Sequence, residues 1–168
     1  MEEMVGALLD FARGHLGGGI PITRTQCNLA RICTDAVSEA RQAYPGRAIS
    51  CESSGDTTGE WDRDRLEQLL SNLFANAIVH GEDPVIAAAH GEDERVVLTV
   101  HNSGLAIPAP VLAALFKPFH VRRGSQAGLG LGLFIASEIA RAHGGTIDVR
   151  STTEEGTTFT VELPRVPR

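Results

Sequence analysis

The stretch "GLGLGLFIASEIARAHGGTI", residues 128–147, sets Gly128, Gly130 and Gly132 at alternate positions directly ahead of an amphipathic helix. Glycines so placed let backbone N–H groups approach a ligand, and the helix behind them offers its positive N-terminal end to an anion such as phosphate. No Gly-Lys-Ser or Gly-Lys-Thr follows, so the run is not a P-loop. The segment "LFKPFHVRRGSQA" stands in front of it instead of a strand, so it is not the dinucleotide-binding turn either. By itself the run also fits a glycine-rich hinge, and its neighbours must decide.

Downstream, "GGTIDVRS" and "GTTFTVELP" alternate as two strands of a hairpin around "TTEE". Upstream, a short helix runs to "LFKPF", preceded by the irregular "SGLAIPAP". The strands "PVIAAAH" and "RVVLTVHN" flank the turn "GED". The second is apolar nearly throughout and is expected at the sheet centre, covered on both faces or close to it. Before them, Asp62 caps a helix whose Leu66, Leu69, Leu70, Leu73 and Ala77 form an apolar stripe, ended by "HGEDP". "AISCES" and "TTGEW" read as strands joined by the turn residues "SGD". Asn28 caps a helix to about Ala43, and "PITRTQCN" is a short strand. Residues 1–16 place Met4, Val5, Leu8, Leu9, Phe11 and Ala12 at helical spacing before "GGGIP" ends the run. One layer of strands with about three helices, in mixed order, predicts an α+β, two-layer α/β sandwich with a short N-terminal helix.

Composition narrows the function. A chain of 168 residues fits one domain, and 42% apolar with 21% charged residues is ordinary for a soluble globular protein. The net charge of −6 argues against a general nucleic-acid or anionic-membrane binder, so a polyanion site must be local. No apolar run approaches bilayer length and the acidic start lacks a signal-peptide character, which predicts a cytoplasmic segment whose parent can still be anchored elsewhere. Cys27, Cys33 and Cys51 form no CxxC pair and read as reduced, mostly buried thiols.

Two further constellations carry chemistry. Asn72, Asn76 and His80 recur every four residues and share one helix face. Such a face is either solvated or a polar site, with an amide oxygen able to ligate a hard cation like Mg2+. Asn102 and Gly104 in "HNSGLAIP" suit either a simple turn or a loop that approaches a planar ligand and reads its edge.

Taken in order, the Asn-bearing helix, the Asn-x-Gly loop, "LFKPF" and the GxGxGL run resemble the catalytic ATP-binding domain of sensor histidine kinases, in the superfamily of gyrase, Hsp90 and MutL ATPases. The resemblance covers residues 20–164 and implies the Bergerat fold, with ATP and Mg2+ as ligands. It divides the chain into residues 1–19, the end of the second helix of a dimerisation and phosphoacceptor hairpin plus linker, and residues 20–168, the catalytic domain. It implies that Asn76 ligates Mg2+, that Asn72 supports it or the phosphates, and that His80 touches phosphate. Asn102 would meet the adenine amino group, with Gly104 and Ile107 beside the base. Phe116 and Phe119 would anchor a lid, while Gly128, Leu129, Gly130, Leu131, Gly132 and Leu133 would line the triphosphate. Catalysis would be electrostatic positioning of the phosphoryl group.

The sequence departs from the family pattern in places. Asn102 stands where the family has Asp, Ala106 where it has Gly, and Val79 where many members carry Lys; Arg122 or Arg123 would replace that charge. A neutral amide that can flip predicts weaker ATP affinity and poorer discrimination against GTP. None of the six histidines has the family's phosphoacceptor context, so autophosphorylation in cis is not expected and the acceptor lies on a partner hairpin, with a response regulator downstream. Asn72 stands where gyrase-like hydrolysis needs a carboxylate. The apolar face of residues 4–12 predicts weak homodimerisation. Competing readings are a degenerate nucleotide-binding or interaction module and an anti-sigma type serine kinase, the latter disfavoured by the helical lead-in.

Overall fold

A computed structural model describes residues 2–120 and 129–167. In chain order these form α1 (Glu2–His15), β1 (Thr25–Asn28), α2 (Leu29–Ala43), β2 (Ile49–Ser54), β3 (Thr58–Trp61), α3 (Arg63–His80), β4 (Glu82–Gly91), β5 (Arg95–Ser103), α4 (Ala109–Leu112), α5 (Gly132–Ala142), β6 (Thr146–Thr152) and β7 (Gly156–Pro164). The main sheet has the order β2-β4-β5-β7-β6. Only β2 and β4 run parallel within it; the other pairs are antiparallel. The two-layer α+β arrangement expected from the sequence is the one observed.

Both predicted caps form. The Asn28 Oδ1 accepts from the Arg31 amide at 3.2 Å, and the Asp62 Oδ1 accepts from the Arg65 amide at 3.2 Å. The leucine stripe of α3 is buried against the sheet, where it meets Val96, Leu98 and Val100 of β5 and Phe159 and Val161 of β7 in one apolar core. The inner face of α2 and Ile135, Ala136 and Ile139 of α5 complete the layer.

One expectation needs correction. β5 is central, but it is covered on one face only: Val96, Leu98, Val100 and Asn102 are buried while Val97, Thr99 and His101 are half-buried on the open side. With a single helical layer, an apolar run can reflect strand propensity as well as burial. β2 and β3 do not pair with each other. β2 is the edge strand beside β4, and β3 forms a separate ribbon with β1. The chain leaves the sheet at residues 55–57 because Thr57 is drawn inward: its hydroxyl donates to Asn28 Oδ1 at 2.9 Å and its carbonyl accepts from the Leu29 amide at 2.9 Å. The buried Trp61 fixes the ribbon, its indole N–H donating to the Pro164 carbonyl at 2.8 Å.

α1 docks on α3 and α5 by a face other than its most apolar one. Asp10 and Gly14 are buried, with Ala7 and Phe11 packed beside them, whereas Met4, Val5, Leu8 and Leu9 stay exposed. The Asp10 carboxylate accepts from Arg65 at 2.9 Å and from the Gln68 amide at 3.0 Å, both on α3. No helix among the described residues is long and apolar enough to cross a membrane.

Candidate nucleotide-binding site

Three of the expected site residues, Asn72, Asn76 and His80, lie on the second half of α3. Asn72 is half-buried and sits against the first turn of α5: a Cβ built on Gly132 would lie 3.8 Å from the Asn72 amide carbon and its Oδ1. Its Nδ2 is fully buried without a hydrogen-bond partner among the described residues. A buried amide N–H without an acceptor is disfavoured by about 1–3 kcal/mol. α5 begins at Gly132 with no side chain among the described residues capping its first turn, so its first backbone N–H groups have no side-chain acceptor there. Leu129 and Gly130 form the turn before it, Leu131 is buried beneath it, and Leu133 is partly buried against the core.

Asn76 lies one turn further along α3 and is half-buried; His80 is exposed in the last turn. Asn102, at the end of β5, is only 5% exposed. It abuts the residue that ends α3: a Cβ on Gly81 would fall 2.1 Å from Asn102 Nδ2 and 2.6 Å from the Ala77 carbonyl oxygen, so only glycine fits. The Asn102 Nδ2 donates to the Ser103 carbonyl at 2.8 Å. Gly104 turns the loop at φ 120, where L side chains are strained. The Ile107 amide donates to Ser151 Oγ at 2.8 Å, fixing the far end of that loop to β6. α3 thus carries a buried polar donor near α5 at Asn72 and the Asn102 contact at Gly81, about 14 Å apart at 1.5 Å per residue.

Phe116 is partly buried with its ring edge-on to Phe159, 6.1 Å between centroids. Phe119 is half-exposed at φ 60 and meets Phe11 of α1 at 4.8 Å instead. Arg122, Arg123 and Gly128 lie outside the described residues. Val79, where a Lys was looked for, points outward at 49% exposed. A shallow cleft of about 160 Å3 at the other end of the sheet, lined by Arg95, Gly144, Gly145, Thr146, Glu162 and Pro164, contains none of the expected residues. Gly81 escaped the sequence reading because a glycine after a helix looks like a stop signal; its contact with Asn102 is made across 21 residues of chain.

Comparison with known proteins bears on the family and the fold. Residues 61–167 match the family model described as histidine kinase-, DNA gyrase B- and HSP90-like ATPase. Over 170 residues the chain is 32% identical to a bacteriophytochrome of Pseudomonas aeruginosa, covering 98% of this chain and 23% of that protein. It is 35% identical over 176 residues to the sensor histidine kinase ZraS of Salmonella typhimurium, covering all of this chain and 36% of that one. The nucleotide-free catalytic domain of the histidine kinase ThkA superposes with a TM-score of 0.77 at 28% identity, over 87% of this chain and 98% of that structure. Full-length ShkA, solved in complex with AMPPNP, gives 0.81 at 24% identity over 99% of this chain and 36% of that one, a likeness of fold. The chain therefore belongs to the histidine kinase-, DNA gyrase B- and HSP90-like ATPase family, and within it to the ATP-binding catalytic domains of two-component histidine kinases. It spans between about a quarter and a third of the length of the curated relatives it matches.

Proposed function

We propose that this domain binds Mg2+–ATP along α3 and transfers the γ-phosphoryl group to a histidine on a separate hairpin domain, with a response regulator as the later acceptor. The observation that supports this reading is Asn72, whose Oδ1 lies 3.8 Å from a Cβ built on Gly132 at the uncapped start of α5 and whose buried Nδ2 has no partner among the described residues. In this assignment residues 20–168 are the catalytic domain and residues 1–19 the end of the hairpin with its linker, acting as a cytoplasmic segment of the parent protein. The exposed Met4, Val5, Leu8 and Leu9 are then the face through which the fragment pairs weakly with itself.

The divisions of labour follow from the side chains. Asn76 offers an amide oxygen on a half-buried helix face, a donor type that fits a hard cation. Bound there, Mg2+ would neutralise charge on the phosphates. The first N–H groups of α5 donate to phosphate oxygens with Asn72 supporting them from α3, and Asn102 holds the base at the other end. No described side chain is assigned as general base, so the chemistry is positioning and charge neutralisation.

The test is phosphotransfer from radiolabelled ATP to an added phosphoacceptor hairpin of a homologous kinase. Label on the hairpin that is lost with Asn76→Ala, while His15→Ala, His80→Ala and His143→Ala leave it still labelled, is the expected result. Tight nucleotide binding with no transfer to any hairpin offered would favour the interaction-module reading.

A further inference from the structure

Resting on the reading that Asn102 meets the base, we propose that the Ser103 carbonyl and the bare Gly81 backbone fix the Asn102 amide in one orientation, making it an acceptor-only reader that selects an aminopurine over an oxopurine without a carboxylate. This reverses the expectation that a neutral amide flips and tolerates guanine.

The argument starts from what an amide can do. Asn carries a donor end and an acceptor end, and only its surroundings decide which faces a ligand. Here Nδ2 donates to the Ser103 carbonyl at 2.8 Å. The same nitrogen occupies the space over Gly81, where a Cβ would come within 2.1 Å of it and within 2.5 Å of the amide carbon. Turning the amide over would bring Oδ1 to the Ser103 oxygen, two acceptors in contact at a position 5% exposed, where no water can easily repair the loss. Among the described residues Oδ1 accepts no hydrogen bond. It is the end left to the ligand, and it can accept from the exocyclic amine of adenine but not from the carbonyl of guanine.

The same geometry predicts how a carboxylate would behave. Aspartate at 102 has two acceptors, one of which must face the Ser103 carbonyl. Restoring the family's residue should therefore weaken binding, unless the carboxyl is protonated. A protonated Asp is a near copy of Asn, its O–H donating to Ser103 and its C=O left for the base. Affinity in Asn102→Asp should then rise as the pH falls, measured relative to that of the unsubstituted protein. His80, Glu82 and Asp83, the ionisable side chains on the flanking elements, are present in both proteins and cancel from the difference between them.

The experiment is calorimetric titration of the whole chain with Mg2+–ADP and Mg2+–GDP between pH 5 and pH 8, for the unsubstituted protein, Asn102→Asp and Asn102→Ala, with a thermal melt of each. We expect ADP over GDP by at least about tenfold in the unsubstituted protein, the worth of roughly one hydrogen bond made against one left unpaired. That ratio should collapse in Asn102→Ala, and Asn102→Asp should bind ADP more weakly at pH 8 and recover at pH 5. Equal affinities for ADP and GDP, an unchanged ratio in Asn102→Ala, or tighter ADP binding by Asn102→Asp at pH 8 would each overturn the proposal while leaving the nucleotide site standing. Binding of neither nucleotide by the folded, unsubstituted protein would remove the nucleotide reading itself and this inference with it. Should Asn102→Asp fail to fold, the ADP-to-GDP ratio of the other two proteins decides.

Discussion

His143 shows what single residues do in this domain. It is wholly buried where α5 ends, its Nδ1–H donates to the Ile139 carbonyl at 2.8 Å, and its Nε2 accepts from the Asp62 amide at 3.0 Å. That pairing needs the neutral ring, and burial pulls its pKa below the usual 6.5. The unfolded chain thus takes up a proton that the folded one refuses, so the contribution is complete above pH 6.5 and is lost as pH falls below that value. We expect the melting temperature to drop between pH 7 and pH 5, and His143→Ala to lower stability at pH 7 by about 1–3 kcal/mol while flattening that pH dependence. At this scale the sequence told half the story. Asn72, Asn76, Asn102 and Gly104 stood out because unusual residue types recur at set spacings, whereas His143 and Gly81 act through contacts with distant segments that no local pattern announces.

Among the elements, α1 is anchored by a residue its pattern does not announce. Its Met4, Val5, Leu8 and Leu9 are exposed, and the helix is held by Asp10, which pairs with Arg65 and Gln68. A mostly buried ion pair of this kind fixes register more than it adds stability, and removing one partner strands the other. Asp10→Ala should therefore release α1, visible as faster amide exchange over residues 2–15, and should lower stability by up to about 3 kcal/mol. Unchanged exchange would show that the ring contacts of Phe11 with Phe119 and Phe134 suffice. The helices and the two hairpins were readable from period and turn chemistry. The pairing of β3 with β1 was not, since it depends on Trp61 and Thr57 finding partners far along the chain.

Over the whole molecule, the sheet and three helices share one core, and the C-terminal residues close it. Arg165 donates to the carbonyls of Thr58 and Asp56 at 2.5 Å and of Glu92 at 2.6 Å, strapping the β1–β3 ribbon to the turn between β4 and β5. These tethers lie away from the proposed nucleotide site, so the scaffold is closed at one end while Asn72 and Asn76 on α3 and Asn102 on β5 lie toward the other. The central claim is that α3 holds a Mg2+–nucleotide between Asn102 and the start of α5. It is tested most directly by titrating Mg2+–ADP and a non-hydrolysable ATP analogue into the protein, Asn76→Ala and Asn72→Ala, alongside thermal melts without ligand. Binding at least about tenfold weaker is expected in Asn76→Ala, together with a melting temperature in Asn72→Ala that is equal or higher because a buried donor with no partner among the described residues is gone, yet weaker affinity for the phosphates. Affinities unchanged in both variants would contradict it.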